Sequence, residues 1–99
     1  MKCKSYNLFF ETFSNKTRMH IIESLIEGPK SVTEICSITG EEQSQISHNL
    51  RKLMECHFID VERKGKQRIY SLNKDTIIPI LKLVETHVHK YCNKECGKK

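Results

Sequence analysis

The stretch ETHVHKYCNKEC places Glu85, His87, His89, Cys92, Glu95 and Cys96 within twelve residues. Imidazole and thiolate donors together suit zinc, cadmium, copper(I) or arsenite rather than magnesium or calcium. If these residues lie on a regular helix, an advance of about 100° per residue gathers Glu85, His89, Cys92 and Cys96 into a sector of roughly 60°, with His87 on the other side. Cys92 and Cys96 are then one turn apart, and His89 precedes Cys92 at a same-face spacing. The same residues also fit a solvated tail with free cysteines, or a redox pair.

A second constellation lies in the middle of the chain. Gln43, Ser44, Gln45, Ser47, His48 and Arg51 share a segment whose apolar residues, Ile46, Leu50 and Leu53, recur at helical spacing. Glutamine pairs with adenine edges, arginine with guanine or phosphate, and serine and histidine with either bases or phosphates. A merely solvated face would carry more Glu and Lys, whereas 43–49 is almost uncharged. Downstream, Arg63, Lys64, Lys66 and Arg68 crowd the tip of an alternating segment, a pattern that suits phosphate contact. Charge of that kind also keeps an exposed hairpin soluble.

These residues need a scaffold. Residues 5–14 put Tyr6, Phe9, Phe10 and Phe13 at helical spacing. Ser14 or Asn15 caps a second helix with Met19, Ile22 and Ile26 on one face, closed by Gly28 and Pro29. Ser31 and Glu34 have capping-box spacing and open a third helix, with Ile35 and Ile38 inward and Gly40 as its stop. A fourth helix is expected over about 42–56. From about 58 to 72 the period changes to two, around Lys64-Gly65-Lys66, as in a β-hairpin. A last helix runs from about 75 to 96, striped by Ile77, Leu81, Val84 and Val88, with Pro79 in its first turn. Two short helices with a Gly-bearing turn, followed by a basic hairpin, make a winged helix-turn-helix. The fold class is mainly α with a β-hairpin wing, in one domain over 1–99.

The totals agree with that class. The chain has 99 residues and 17 Lys and Arg against 12 Asp and Glu, a net charge of +5. A basic domain of this size suits nucleic acid more than acidic substrates or a membrane. No apolar run spans a bilayer and MKCKSYNLFF lacks a signal-peptide core, so a cytoplasmic protein with reduced cysteines is expected. The cysteine count of five is odd, which also argues against a disulfide framework. Cys36 and Cys56 sit among apolar helical positions and read as core packing. His20 and His57 have no second ligand at useful spacing. No Ser/His/Asp or Cys/His arrangement and no Gly-rich phosphate loop points to an enzyme, and no catalytic residue is assigned.

SNKTRMHIIESLIEG resembles the second-helix pattern of the ArsR-type winged-helix repressors, the arsenic/zinc-sensor family. EEQSQISHNLRKLMECHFI resembles that family's recognition helix, with its core at Gln43, Ser44, Gln45, Ile46, Ser47, His48, Asn49 and Leu50. VERKGKQRIYSL resembles its wing. The resemblance covers roughly residues 7–90. It implies a homodimer built from the first and last helices, and a repressor released from operator DNA by an effector, often a metal ion or metalloid. If the end helices pack together in that way, Cys3 supplies a third thiol beside Cys92 and Cys96, a set suited to arsenite. One effector site of the family, Cys-x-Cys-Asp-Leu in the third helix, falls here on Ser31, Thr33, Glu34 and Ile35 and lacks both thiols. Glu85 and His87 match the first half of another, whose second half falls at Lys98 and beyond. The function expected is a sequence-specific repressor released by a thiophilic ion at Glu85, His89, Cys92 and Cys96, with no membrane partner. The alternatives are a redox-responsive repressor using Cys92 and Cys96, and a winged-helix protein-interaction domain without an operator.

Overall fold

The computed structural model describes residues 5–92. In chain order the elements are α1 (Tyr6–Phe13), α2 (Lys16–Ile26), β1 (Lys30–Ser31), α3 (Val32–Thr39), α4 (Gln43–Glu55), β2 (Ile59–Lys64), β3 (Gln67–Leu72) and α5 (Ile77–His87), followed by a π-helical turn, Val88–Cys92. The strands form one antiparallel sheet in the order β1-β3-β2. The β2–β3 hairpin is the expected wing. β1 is an addition: Lys30 and Ser31 pair with Tyr70 and Ile69, and two residues are too few to show a period.

Local chemistry sets the helix ends. Ser5 and Asn15 side chains accept from the backbone N–H of Leu8 and Arg18, which fixes the starts of α1 and α2. Asn15 is therefore the cap of α2, while Ser14 closes α1. Ser31 and Glu34 form a complete capping box at 2.8 and 3.2 Å. Gly40, at φ 75°, ends α3 in the left-handed region that a side chain disfavours.

The core is Ile21, Ile22, Leu25, Ile35, Ile46, Leu50, Leu53, Phe58, Ile59, Tyr70, Leu72 and Ile77, all buried. It joins α2, α3 and α4 to the base of the sheet and the start of α5. Cys36 and Cys56 are half-buried against it, as packing residues should be. Two expected inward residues differ: Ile26 is 59% exposed and Ile38 54%, while Leu25 in the same last turn of α2 is buried, so these two side chains lie on the solvent side of their last turns. Phe9 and Phe13 of α1 pack with Phe58, ring centroids 5.0 and 4.9 Å from it. Among the described residues no helix is long and apolar enough to cross a membrane.

α4 ends in a Schellman turn. Phe58 N–H donates to Leu53 C=O at 2.9 Å and His57 N–H to Met54 C=O at 3.0 Å. His57 occupies the left-handed position at φ 62°, where glycine is the usual residue. His57→Gly is expected to raise stability by about 1 kcal/mol, seen as a higher urea midpoint at unchanged slope. A lower midpoint would mean that the imidazole makes contacts worth more than the strain.

Candidate nucleic-acid interface

The helix-turn-helix is α3 and α4, joined at Gly40. The inner face of α4 buries Ile46, Asn49, Leu50 and Leu53. This leaves Gln43, Ser44, Gln45, Ser47, His48 and Arg51 exposed together on its outer face, where the sequence places them. Glu42, the cap residue of α4, makes no side-chain cap hydrogen bond.

The wing presents its charges on a defined geometry. Gly65 and Lys66 form a two-residue turn with positive φ at Gly65 alone, the pattern of a type II′ turn. Arg63 lies directly opposite Arg68, and Lys64 opposite Gln67. Strand alternation puts Arg63 and Arg68 on the face that, nearer the base, carries the buried Ile59, Tyr70 and Leu72. Lys64 shares the other face with Asp60 and Glu62. Like charges directly opposed across strands are destabilising. The arginine pair is therefore a cost to the isolated hairpin that an anion would offset. Arg63, Lys64, Lys66 and Arg68 are all exposed.

α2 grips α4 with polar groups that the sequence did not single out. Arg18 Nε–H donates to Asn49 Oδ1 at 3.1 Å, and Asn49 Nδ2 donates to Gln45 C=O at 2.9 Å. At the start of α4, Glu41 accepts from Thr17 Oγ1 at 2.9 Å and from His20 Nδ1 at 2.8 Å. The hydrogen bond from His20, then that from Thr17, holds the Glu41 carboxyl below its usual range, against the opposing effect of partial burial. His20, which has no metal-ligand spacing in the sequence, thus has a carboxylate partner from the helix-turn-helix turn.

The C-terminal donors do not keep the geometry expected of them. The last helix is α-helical only to His87, and from Val88 to Cys92 it is a π turn with i→i+5 bonding. Each residue of such a turn advances by less than in an α-helix, so the common sector expected for Glu85, His89 and Cys92 on a regular helix does not carry across it. Glu85 and His89 are exposed and line one hollow with Thr86, Val88 and Lys90. Cys92 is half-buried, and the rings of His87 and Tyr91 meet at a tilt with centroids 5.0 Å apart. Among the described residues no group of three or more His, Cys, Asp or Glu is placed to hold a metal ion. Cys3, Glu95 and Cys96 lie outside the described residues.

The family description "Bacterial regulatory protein, arsR family" matches residues 15–61, from the cap of α2 into β2. The transcriptional regulator Rv0081 of Mycobacterium tuberculosis is 34% identical over 74 residues, 74% of this chain and 65% of its own length. Its crystal structure has a TM-score of 0.78 to this fold at 28% identity, covering 89% of both chains. Over residues 15–61 the chain carries the ArsR-family helix-turn-helix. Another ArsR-like relative, the transcriptional regulator NmtR of M. tuberculosis, is 31% identical over 71 residues, 72% of this chain and 59% of NmtR. A Streptomyces lividans protein named "Probable mercury resistance operon repressor" is 24% identical over 75 residues, 76% of this chain and 60% of its own length. The chain thus spans 59–65% of the length of these curated relatives. The ArsR family consists of DNA-binding transcription regulators, not enzymes.

Proposed function

We propose that this ArsR-family chain is a homodimeric transcriptional repressor. It reads operator DNA with α4, holds the backbone with the wing, and is released by a thiophilic metal ion or metalloid at its C-terminal Cys/His cluster. The observation that carries the DNA reading is the outer face of α4. Six exposed hydrogen-bonding side chains sit on a helix whose opposite face is locked into the core, beside a wing tip with two opposed arginines. A groove-reading helix needs that combination of adaptable surface and rigid mounting.

The dimer reading rests on apolar surface. Tyr6 and Phe10 on α1, Leu83 and Val84 on α5, and Val88 and Tyr91 beyond it are between 46 and 88% exposed. That is more exposed large apolar side chain than a small monomer usually presents to water. Duplexes selected from a random pool are therefore expected to contain two inverted half-sites about one turn, roughly 34 Å, apart. Gln45→Ala and His48→Ala should each weaken binding to the selected site by on the order of 1–3 kcal/mol with the fold intact. Unchanged affinity in both variants would remove α4 from the interface. A pool that yields no preferred sequence would favour a protein-binding winged helix instead.

The effector reading rests on donor chemistry, His89, Cys92 and Cys96 with Glu85 and Cys3, and on the mercury-operon name of one relative. A bound ion at the end of α5 borders the apolar face assigned to the dimer, so it can change how the subunits pack. A coupling of about 1–3 kcal/mol lowers operator affinity by roughly 5- to 150-fold. Cys92→Ser with Cys96→Ser should bind DNA normally and no longer respond to zinc, cadmium, copper(I) or arsenite. Release of that variant by the same ion at the same concentration would place the sensor elsewhere. Release of the parent by oxidant without metal would favour the redox alternative.

A further inference from the structure

Asn49 stands out on the inner face of α4. It is 4% exposed, between apolar neighbours, at a position where the pattern of Ile46, Leu50 and Leu53 calls for an aliphatic residue. A buried amide costs free energy unless bonded. This one is bonded at both ends: its Nδ2 to Gln45 C=O of its own helix, its Oδ1 to Arg18 Nε of α2. The Arg18 backbone is itself held, because its N–H donates to the Asn15 cap at 2.9 Å. Eight residues earlier, Glu41 receives Thr17 and His20 from the same turns of α2. The segment between those anchors contains five of the six outer residues assigned to DNA.

Apolar contact is non-directional. Ile46, Leu50 and Leu53 hold α4 against the body but leave its rotation and axial position loosely set. Hydrogen bonds near 3 Å set both, and groove reading tolerates errors of only about 10–20°. Replacing such a bonded pair with apolar groups of similar shape is often neutral or stabilising. Stability is therefore a weak reason for Asn49 and Arg18 to be here, and orientation is a strong one.

We propose that Asn49 and Arg18, with Glu41 as a second anchor, are positioning residues that fix the rotation of α4 and so set its discrimination between operator and other DNA. Asn49 does this from inside the domain, out of reach of DNA. The inference rests on the reading of α4 as the DNA-reading helix.

The test compares Asn49→Leu, Arg18→Met and the double variant with the parent. Affinities are measured for the selected duplex and for a scrambled one, across salt concentrations, beside urea unfolding. In Asn49→Leu, discrimination is expected to fall on the order of tenfold. Its affinity for scrambled DNA and its salt slope should not change, because no charge is lost. The double variant should unfold at an equal or higher urea midpoint. Parent-like discrimination in Asn49→Leu, or equal losses on both duplexes in step with lost stability, would overturn the proposal. If Asn49→Leu does not fold, Arg18→Met keeps the Asn49–Gln45 bond and is read by the same ratio, in which the lost charge cancels. A parent protein with no preferred duplex would overturn the DNA reading itself. A parent that discriminates, with variants that do so equally, would overturn this proposal alone.

Discussion

Phe58→Ala is expected to cost about 3–5 kcal/mol, the range for a fully buried aromatic. Phe58 is 1% exposed, and its ring meets those of Phe9 and Phe13 at about 5 Å. Its backbone is engaged as well: its N–H closes α4 on Leu53 and its C=O accepts from Asn73 N–H at 2.9 Å. The alanine variant would keep those bonds and lose the ring that joins α1 to α4 and the sheet. Small domains hold roughly 5–15 kcal/mol in all, so about a fifth or more of the total is at stake. Urea unfolding measures it. Phe58→Leu, which leaves a smaller void, should lose less than half as much. A loss below about 1 kcal/mol in the alanine variant would mean that Phe9 and Phe13 close the space unaided.

The wing should respond in the opposite sense, with affinity and stability moving apart. Lys64→Glu with Arg68→Glu is expected to weaken binding to every duplex alike, on the order of 10²-fold at low salt, and to flatten the salt dependence. The hairpin itself should be no less stable. The new carboxylate at position 68 faces Arg63 across the strands and replaces a repulsive pair with an attractive one. Titrations of selected and scrambled duplexes at several salt concentrations, beside a urea curve, read both effects. A loss confined to the selected duplex would contradict a phosphate role for the tip.

Most of the scaffold was legible because its signals are local. The apolar spacing of Ile46, Leu50 and Leu53 placed α4 within a residue at each end, and the Ser31/Glu34 pair placed the start of α3. Periodicity names a face only approximately, and in the last turn of α2 it is Leu25 that is buried while Ile26 is exposed; Ile38 is exposed in the same way at the end of α3. β1 is visible only through its pairing with β3. Asn49 is polar at a position whose spacing is that of the inner face, and the partner of its Oδ1, Arg18, comes from another helix and has no local marker. The π turn alters backbone bonding without a marker in residue type, so a regular helix through His89 and Cys92 was the natural expectation and the wrong one.

The strand order β1-β3-β2 has a further consequence. β3 is paired on both sides at Ile69 and Tyr70, and of the two outer strands the six-residue β2 presents the longer unpaired edge. An open edge invites other chains to add strands and so to aggregate, and proteins blunt it with charge. Asp60, Glu62, Arg63 and Lys64 are four of the six residues of β2, both signs are represented, and all four are exposed. A second wing sliding along this edge would meet a like charge in some registers and bury an unpaired one in others. The charges of the tip therefore continue down the strand as a guard that keeps two copies of the sheet from pairing edge to edge.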